Sequence, residues 1–255
     1  MSQVTRPLAR DRAPLLYRGL HKVVPAALNA LFRPSVEGIE NVPDRGPAIL
    51  ASNHLSGLDV VLMPAVLQRP LFFVGKSEYF RGPARWFFRN VGVIPVARHG
   101  GDAAEASLRK GQEILECGQL LGIYPEGTRS PDGRLHRGKT GPVRLALRTG
   151  APIVPVAMLG TNRAVVRKTP VPRLGRVGVR FGEPIDVQRY AHRGDEKFAL
   201  RSATDEVMYE LMLLSGQEYV DEYAAAVKAG GVPPDVELDA FGQLPDDVFA
   251  LPEAS

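Results

Sequence analysis

The chain is poor in cysteine: Cys117 is its one thiol. That excludes an intrachain disulfide and any cysteine-built metal site, and it fits a reducing compartment. No apolar run reaches the roughly 18 residues that a membrane-spanning helix needs, so none is expected. The apolar stretch near the N-terminus is interrupted by Arg18, His21, Lys22 and Pro25, so no signal-peptide core is expected there. Aromatic and basic residues are not interleaved, which argues against nucleic-acid binding. The histidines show no metal-ligand spacing: His21 falls in the N-terminal stretch, His99 and His136 in loops, His192 in a polar connector. Acids are nearly missing from residues 129–180, which hold twelve Lys/Arg against the single acid Asp132. Residues 205–255 reverse this, with twelve Asp/Glu against the single base Lys228. A basic middle attracts phosphate head groups, nucleotide phosphates or an acidic bilayer. The plainer alternative is a solvated surface balanced by the acidic tail.

What is present is enough for a sizeable core. The 255 residues are 44% hydrophobic and 24% charged, as in ordinary globular domains. Residues 14–33 have helical periodicity, with Leu16, Leu20, Val23, Val24, Ala27, Leu28, Leu31 and Phe32 on one stripe. Pro25 should kink or split it. Arg6, Arg10 and Arg12 precede it, which favours an interfacial helix on a bilayer over one packed on the core. Short apolar runs then alternate with helical stretches. Strands are expected at Ala48–Ser52, Leu71–Gly75, Val93–Ala97, Leu120–Tyr124, Ile153–Met158 and Val177–Phe181. Helices are expected at 57–67, 81–89, 102–117, 140–149 and 195–229. This is an α/β pattern: a single layered domain, its largely parallel mixed sheet flanked by helices. The division is an N-terminal amphipathic segment over 1–34, a domain over 35–229, and an acidic Pro/Gly-containing tail over 230–255 that covers part of the basic surface.

In such sheets ligand sites gather at the carboxyl ends of strands, and two motifs fall there. The first is Asn53-His54-Leu55-Ser56-Gly57-Leu58-Asp59. On a continuous helix an offset of five residues is about 140°, so His54 and Asp59 would diverge. They meet only if His54 precedes the helix and Asp59 opens it, with Ser56 as N-cap and Gly57 in the turn. Asp59 would then fix the imidazole tautomer and leave the other nitrogen as a general base. The competing reading is a structural histidine beside a helix cap. The second motif is Tyr124-Pro125-Glu126-Gly127-Thr128-Arg129-Ser130, a carboxylate, a glycine, a hydroxyl and an arginine at a strand end. Arg129 suits a phosphate, or an internal ion pair with Glu126.

Two further blocks follow the same order, Gly92-Val93-Ile94-Pro95-Val96-Ala97-Arg98 and Ile153-Val154-Pro155-Val156-Ala157. With these four blocks, residues 36–185 resemble the glycerolipid acyltransferase superfamily, and most nearly its bacterial 1-acylglycerol-3-phosphate acyltransferases. The resemblance implies that His54 is the catalytic base and Asp59 its partner. It implies that Glu126, Gly127, Thr128 and Arg129 shape the acceptor pocket, and that Arg98 and Arg129 hold its phosphate. The fourth block would support the site and an acyl channel. The implied donor is an acyl thioester, acyl-CoA or acyl-carrier protein. The implied acceptor is a lysophospholipid, 1-acyl-glycerol 3-phosphate first and another lysophospholipid or glycolipid second. The implied place is the cytoplasmic face of an anionic membrane, as a peripheral protein. No metal or redox cofactor is implied. Tyr124 stands where phenylalanine is commoner, and Pro95-Val96-Ala97 replaces an apolar–aspartate run. Lys76, near another strand end, is a further candidate for the site.

Gly133-Arg-Leu-His-Arg-Gly138-Lys139-Thr140 matches the P-loop pattern. A P-loop leaves its strand directly, whereas here Pro125, Pro131 and an Asp132-Gly133 turn intervene. An NTPase is therefore the less favoured alternative, and Lys139 is retained as a candidate phosphate contact.

Overall fold

The computed structural model describes residues 28, 30–76, 92–96, 103–164, 175–191 and 196–230. In chain order the strands are β1 (Ser35–Glu37), β2 (Ala48–Ser52), β3 (Leu71–Lys76), β4 (Val93–Val96), β5 (Leu120–Ile123), β6 (Leu135–His136), β7 (Ile153–Leu159), β8 (Gly178–Phe181) and β9 (Tyr219–Val220). The helices are α1 (Asp59–Val66), α2 (Ala103–Glu116), α3 (Gly141–Thr149), α4 (Thr161–Ala164), α5 (Glu196–Ser215) and α6 (Ala224–Lys228). The expected helix at 81–89, Arg98, most of the segment 14–33 and the tail beyond 230 lie outside the described residues, as do His21, His99 and His192.

The main sheet has seven strands in the order β1-β8-β7-β2-β5-β3-β4. All neighbours run parallel except β7 and β8. β2 lies at the centre and is buried along its whole length, as a parallel strand covered on both faces must be. Its alternate side chains serve two cores. Ile49 and Ala51 join Leu121 and Ile153 beneath α2, α3 and α5; Ala48 and Leu50 join Leu120 and Val154 beneath α1, with Leu28 and Phe32.

β5 lies between β2 and β3 although it follows both in sequence. The carboxyl ends of β2 and β5 are therefore side by side, with Ala51 opposite Ile123. The segments that follow those two residues carry the two motifs.

Besides the short β1 and α4, which were not expected, other elements depart from expectation. The first helix begins at Asp59 rather than 57, with Leu58 as its N-cap residue and no side-chain cap bond. The Ser56 hydroxyl instead accepts from the Leu58 N–H within the turn. The helix ends at Val66, soon after Pro64 removes a backbone donor. The expected helix 195–229 is broken. Gly216, at φ 67°, closes α5 in the left-handed region, and β9 and the short α6 follow. β6 and β9 form a separate two-stranded parallel pair; two-residue strands have no period to read.

Part of the basic stretch is neutralised within the fold. Arg134 pairs with Asp132, Arg148 with Glu105, and Arg180 with Glu37. Glu218 and Asp221 of the acidic region lie 3.6 Å from Arg134 and Arg137. The plainer reading accounts for these arginines. It leaves others, among them Arg129, whose side chain makes no hydrogen bond or ion pair among the described residues.

Candidate active site

Asp59 organises the first motif. Its Oδ2 accepts the Leu55 N–H at 2.7 Å and the Ser56 N–H at 2.8 Å, and lies 2.9 Å from His54 Nδ1. An ionised carboxylate only accepts, so against Asp59 it is Nδ1 that carries the hydrogen; in the neutral imidazole Nε2 then keeps its lone pair. Asp59 has no exposed side-chain surface, and His54 keeps 15%. Asp59 Oδ1 is buried and has no partner among the described residues. The turn thus wraps its carboxylate completely while part of the histidine side chain remains accessible.

A second ring holds the imidazole from its face. Tyr124 stacks on His54 with ring centroids 3.9 Å apart and planes 16° from parallel. Phe73 of β3 continues the stack, 5.8 Å from Tyr124. Gly122 makes room for it: a Cβ there would lie 2.3 Å from the Phe73 ring. The Tyr124 hydroxyl is buried and has no hydrogen-bond partner among the described residues. Burial, and then the nearby Asp59 charge, push it well above its ordinary range. Tyr124 therefore contributes its ring.

The two motifs are tied through the backbone of His54 itself. The His54 N–H donates to Glu126 Oε1 at 3.2 Å, and the His54 carbonyl accepts from the Ser130 N–H at 2.7 Å. Glu126 Oε2 takes the His136 N–H at 3.1 Å. Glu126 is fully buried. A carboxyl so placed joins three segments of chain and presents no surface to a ligand, unlike the pocket role expected for it. Burial pushes it up to about 7, against the lowering effect of its backbone hydrogen bonds from His136 and His54. The Glu126–Arg129 ion pair, the alternative to a phosphate role for Arg129, does not form. Gly127, at φ 70°, completes the turn with its N–H on the Tyr124 carbonyl at 2.9 Å. Thr128 and Arg129 follow; the exposed Arg129 lies one residue from the bond between Ser130 and the His54 carbonyl.

Neighbouring polar residues steady this arrangement. Asn53, fully buried, reproduces a strand's pairing with β7: its Oδ1 accepts the Met158 N–H at 2.7 Å, and its Nδ2 donates to the Met158 carbonyl at 3.1 Å. Its Nδ2 also donates to Gln217 Oε1 at 2.6 Å. Asp132 lies 3.0 Å from His136 Nε2. Its burial favours the neutral acid, but hydrogen bonds from His136 and Arg134 outweigh that and hold it below the usual carboxylate range. Gln217 and His136 were not among the residues expected at the site; Asn53 opens the first motif, but no role was assigned to it there.

The P-loop pattern is used for something else. Leu135 and His136 form β6, both fully buried. Gly138 leaves space for Met208, whose sulfur would lie 2.5 Å from a Cβ there, and its carbonyl accepts from Arg201 at 2.8 Å. Lys139 is 5% exposed, and its N–H donates to the Pro125 carbonyl at 3.0 Å. No strand feeds this segment directly, as a phosphate cradle would need. Lys76 ends β3 at the same edge as the motifs, but its side chain lies outside the described residues.

The fold and site define a class: a mostly parallel α/β domain with a carboxylate-held histidine and an arginine-bearing turn at adjacent strand ends. The Acyltransferase family model matches residues 33–159, which include both motifs, and this segment of the chain belongs to that family. It is 34% identical over 134 residues to a chloroplastic 1-acyl-sn-glycerol-3-phosphate acyltransferase of Arabidopsis thaliana, a match covering 52% of this chain and 37% of that protein. It is 31% identical over 137 residues to the Borreliella burgdorferi protein of the same name, covering 52% of this chain and 53% of that one. The chain thus matches about a third to a half of the length of these relatives. Among solved structures it is similar to the 1-acyl-sn-glycerophosphate acyltransferase PlsC of Thermotoga maritima, with TM-score 0.62, 26% identity, and coverage of 78% of this chain and 79% of that one.

Proposed function

We propose that the protein transfers a fatty acyl group from an acyl thioester to the free hydroxyl of 1-acyl-glycerol 3-phosphate, making phosphatidate. The observation that carries this reading is the 2.9 Å contact between His54 Nδ1 and Asp59 Oδ2, on a turn bonded through backbone to the one that bears Arg129. His54 Nε2 takes the proton of the acceptor hydroxyl while its oxygen attacks the thioester carbon. The tetrahedral intermediate collapses, the C–S bond breaks, and the imidazolium returns the proton to the departing thiolate. Asp59 holds the tautomer and stabilises the imidazolium. Arg129 receives the acceptor phosphate, and Arg98 is assigned the same task. The acceptor is supported by the similarity to 1-acyl-sn-glycerol-3-phosphate acyltransferases. The donor is acyl-CoA or acyl-carrier protein.

The acceptor and product are amphiphiles, so the protein is proposed to work peripherally at an anionic membrane surface, on the cytoplasmic face. Among the described residues no helix is long and apolar enough to cross a membrane. The test is release of free thiol from acyl-CoA by purified protein across a panel of lysolipid acceptors. Release with lysophosphatidate, accompanied by phosphatidate, supports the reading. Release only with another head group moves the acceptor elsewhere in the family, and no release with any acceptor, from either donor, refutes it.

A further inference from the structure

Lys228 is the only base among residues 205–255, which carry twelve acids. The fold sets it on the turn that bears Arg129. Its Nζ donates to Thr128 Oγ1 at 2.6 Å and to the Arg129 carbonyl. Its charge also reaches Glu126, where it opposes the effect of burial. Lys228 lies far outside the matched segment 33–159.

The chain leading to Lys228 follows the site closely. Gln217 accepts from Asn53 and donates to the Gly133 carbonyl at 2.7 Å. The Glu218 carbonyl accepts the Leu135 N–H at 2.9 Å, and the Glu222 carbonyl accepts the Arg137 N–H at 3.0 Å. These contacts hold the segments beside the Arg129 turn. Lys228 holds the turn itself, one atom from the Arg129 backbone and one from its neighbour's side chain. An arginine whose guanidinium has no protein partner among the described residues is aimed by its backbone, so a tie at its own carbonyl bears on where it points.

We propose that Lys228 is a positioning residue for Arg129: by fixing Thr128 and the Arg129 carbonyl, it directs the guanidinium to the phosphate of the acceptor. The acceptor part rests on the function proposed above; the tie to the turn does not. Two readouts separate them. Without substrate, hydrogen exchange of the amides in 124–130 quickens in K228M while the thermal midpoint stays within about 2 °C, and K228R restores protection. With substrate, K228M raises KM for lysophosphatidate about five- to tenfold, the size of one hydrogen-bonded tie. The turnover number and the donor KM stay within about twofold. In an R129A background K228M adds less than about twofold, because the guanidinium it aims is gone. Fully multiplicative effects in the double variant, unchanged exchange in K228M, or a general loss of fold in K228M would each overturn the proposal. If R129A leaves the acceptor KM unchanged in a protein active on lysophosphatidate, the phosphate assignment is what fails, and exchange alone then decides for or against Lys228.

Discussion

A hydrogen bond held at one imidazole nitrogen fixes the tautomer and sets which nitrogen is free to take a proton. Here Nδ1 is committed to Asp59 Oδ2, and that oxygen also gathers two backbone amides. Replacing His54 by alanine should lower turnover by about 10²- to 10⁴-fold; near-normal thiol release in a folded variant would remove it from the mechanism. D59N places an amide where three N–H donors converge, so turnover should fall by a similar order and stability should fall with it. Tyr124 separates ring from hydroxyl. Its hydroxyl is buried without a partner among the described residues, a condition that costs about 1–3 kcal/mol. Y124F should therefore be as stable as the parent or more so and remain active, while Y124A, which loses the stack on His54, should be impaired in both. Urea unfolding and steady-state rates compare them; equal loss of activity in Y124F and Y124A would give the hydroxyl a role denied to it here.

The two motif turns act as one element because a single carboxyl joins them. Glu126 accepts from the backbone of His54, 72 residues away, and from that of His136. Its folded value of about 7 stands against an ordinary 4.5. Between these values the folded chain keeps a proton that the unfolded chain has released. Stability conferred at this group is thus greatest below about pH 4.5, falls as pH rises to 7, and levels off above it. The span is on the order of 3 kcal/mol. E126Q should flatten that slope in urea midpoints taken from pH 4.5 to 8; an unchanged slope would assign it to other groups. The turn's local chemistry was readable beforehand, since Glu-Gly-Thr-Arg marks a strand end. The partner of Glu126 was not, because backbone amides look alike in any sequence.

At the scale of the whole molecule, the N-terminal segment ends in the core, and its earlier part is the one proposed to meet a membrane surface. Leu28 and Phe32 are buried in the core beside α1, while Leu31 is 48% exposed. A truncation that removes residues 1–27 should leave the thermal midpoint near that of the full chain and weaken binding to anionic vesicles. One that removes residues 1–33 should also destabilise the domain by several kcal/mol, as loss of buried large side chains does. Vesicle sedimentation at low and high salt, with unfolding curves for both truncations, checks this; undiminished vesicle binding without residues 1–27 would remove that segment from the proposed membrane contact.

Residue types and their order determined much about this protein. Apolar runs such as Ala48–Ser52 and Ile153–Met158 identify buried parallel strands, since only continuous hydrophobicity survives burial on both faces. The motifs at their ends set a histidine five residues before an aspartate and an arginine just after a glycine. Local chemistry is written in neighbouring residues, so it can be read from them. The insertion of β5 beside β2, the burial of Glu126, the stack of Tyr124 on His54 and the arrival of Lys228 at the Arg129 turn were decided only by tertiary structure. Each joins residues distant along the chain, and such contacts depend on strand order and packing, which no local pattern encodes.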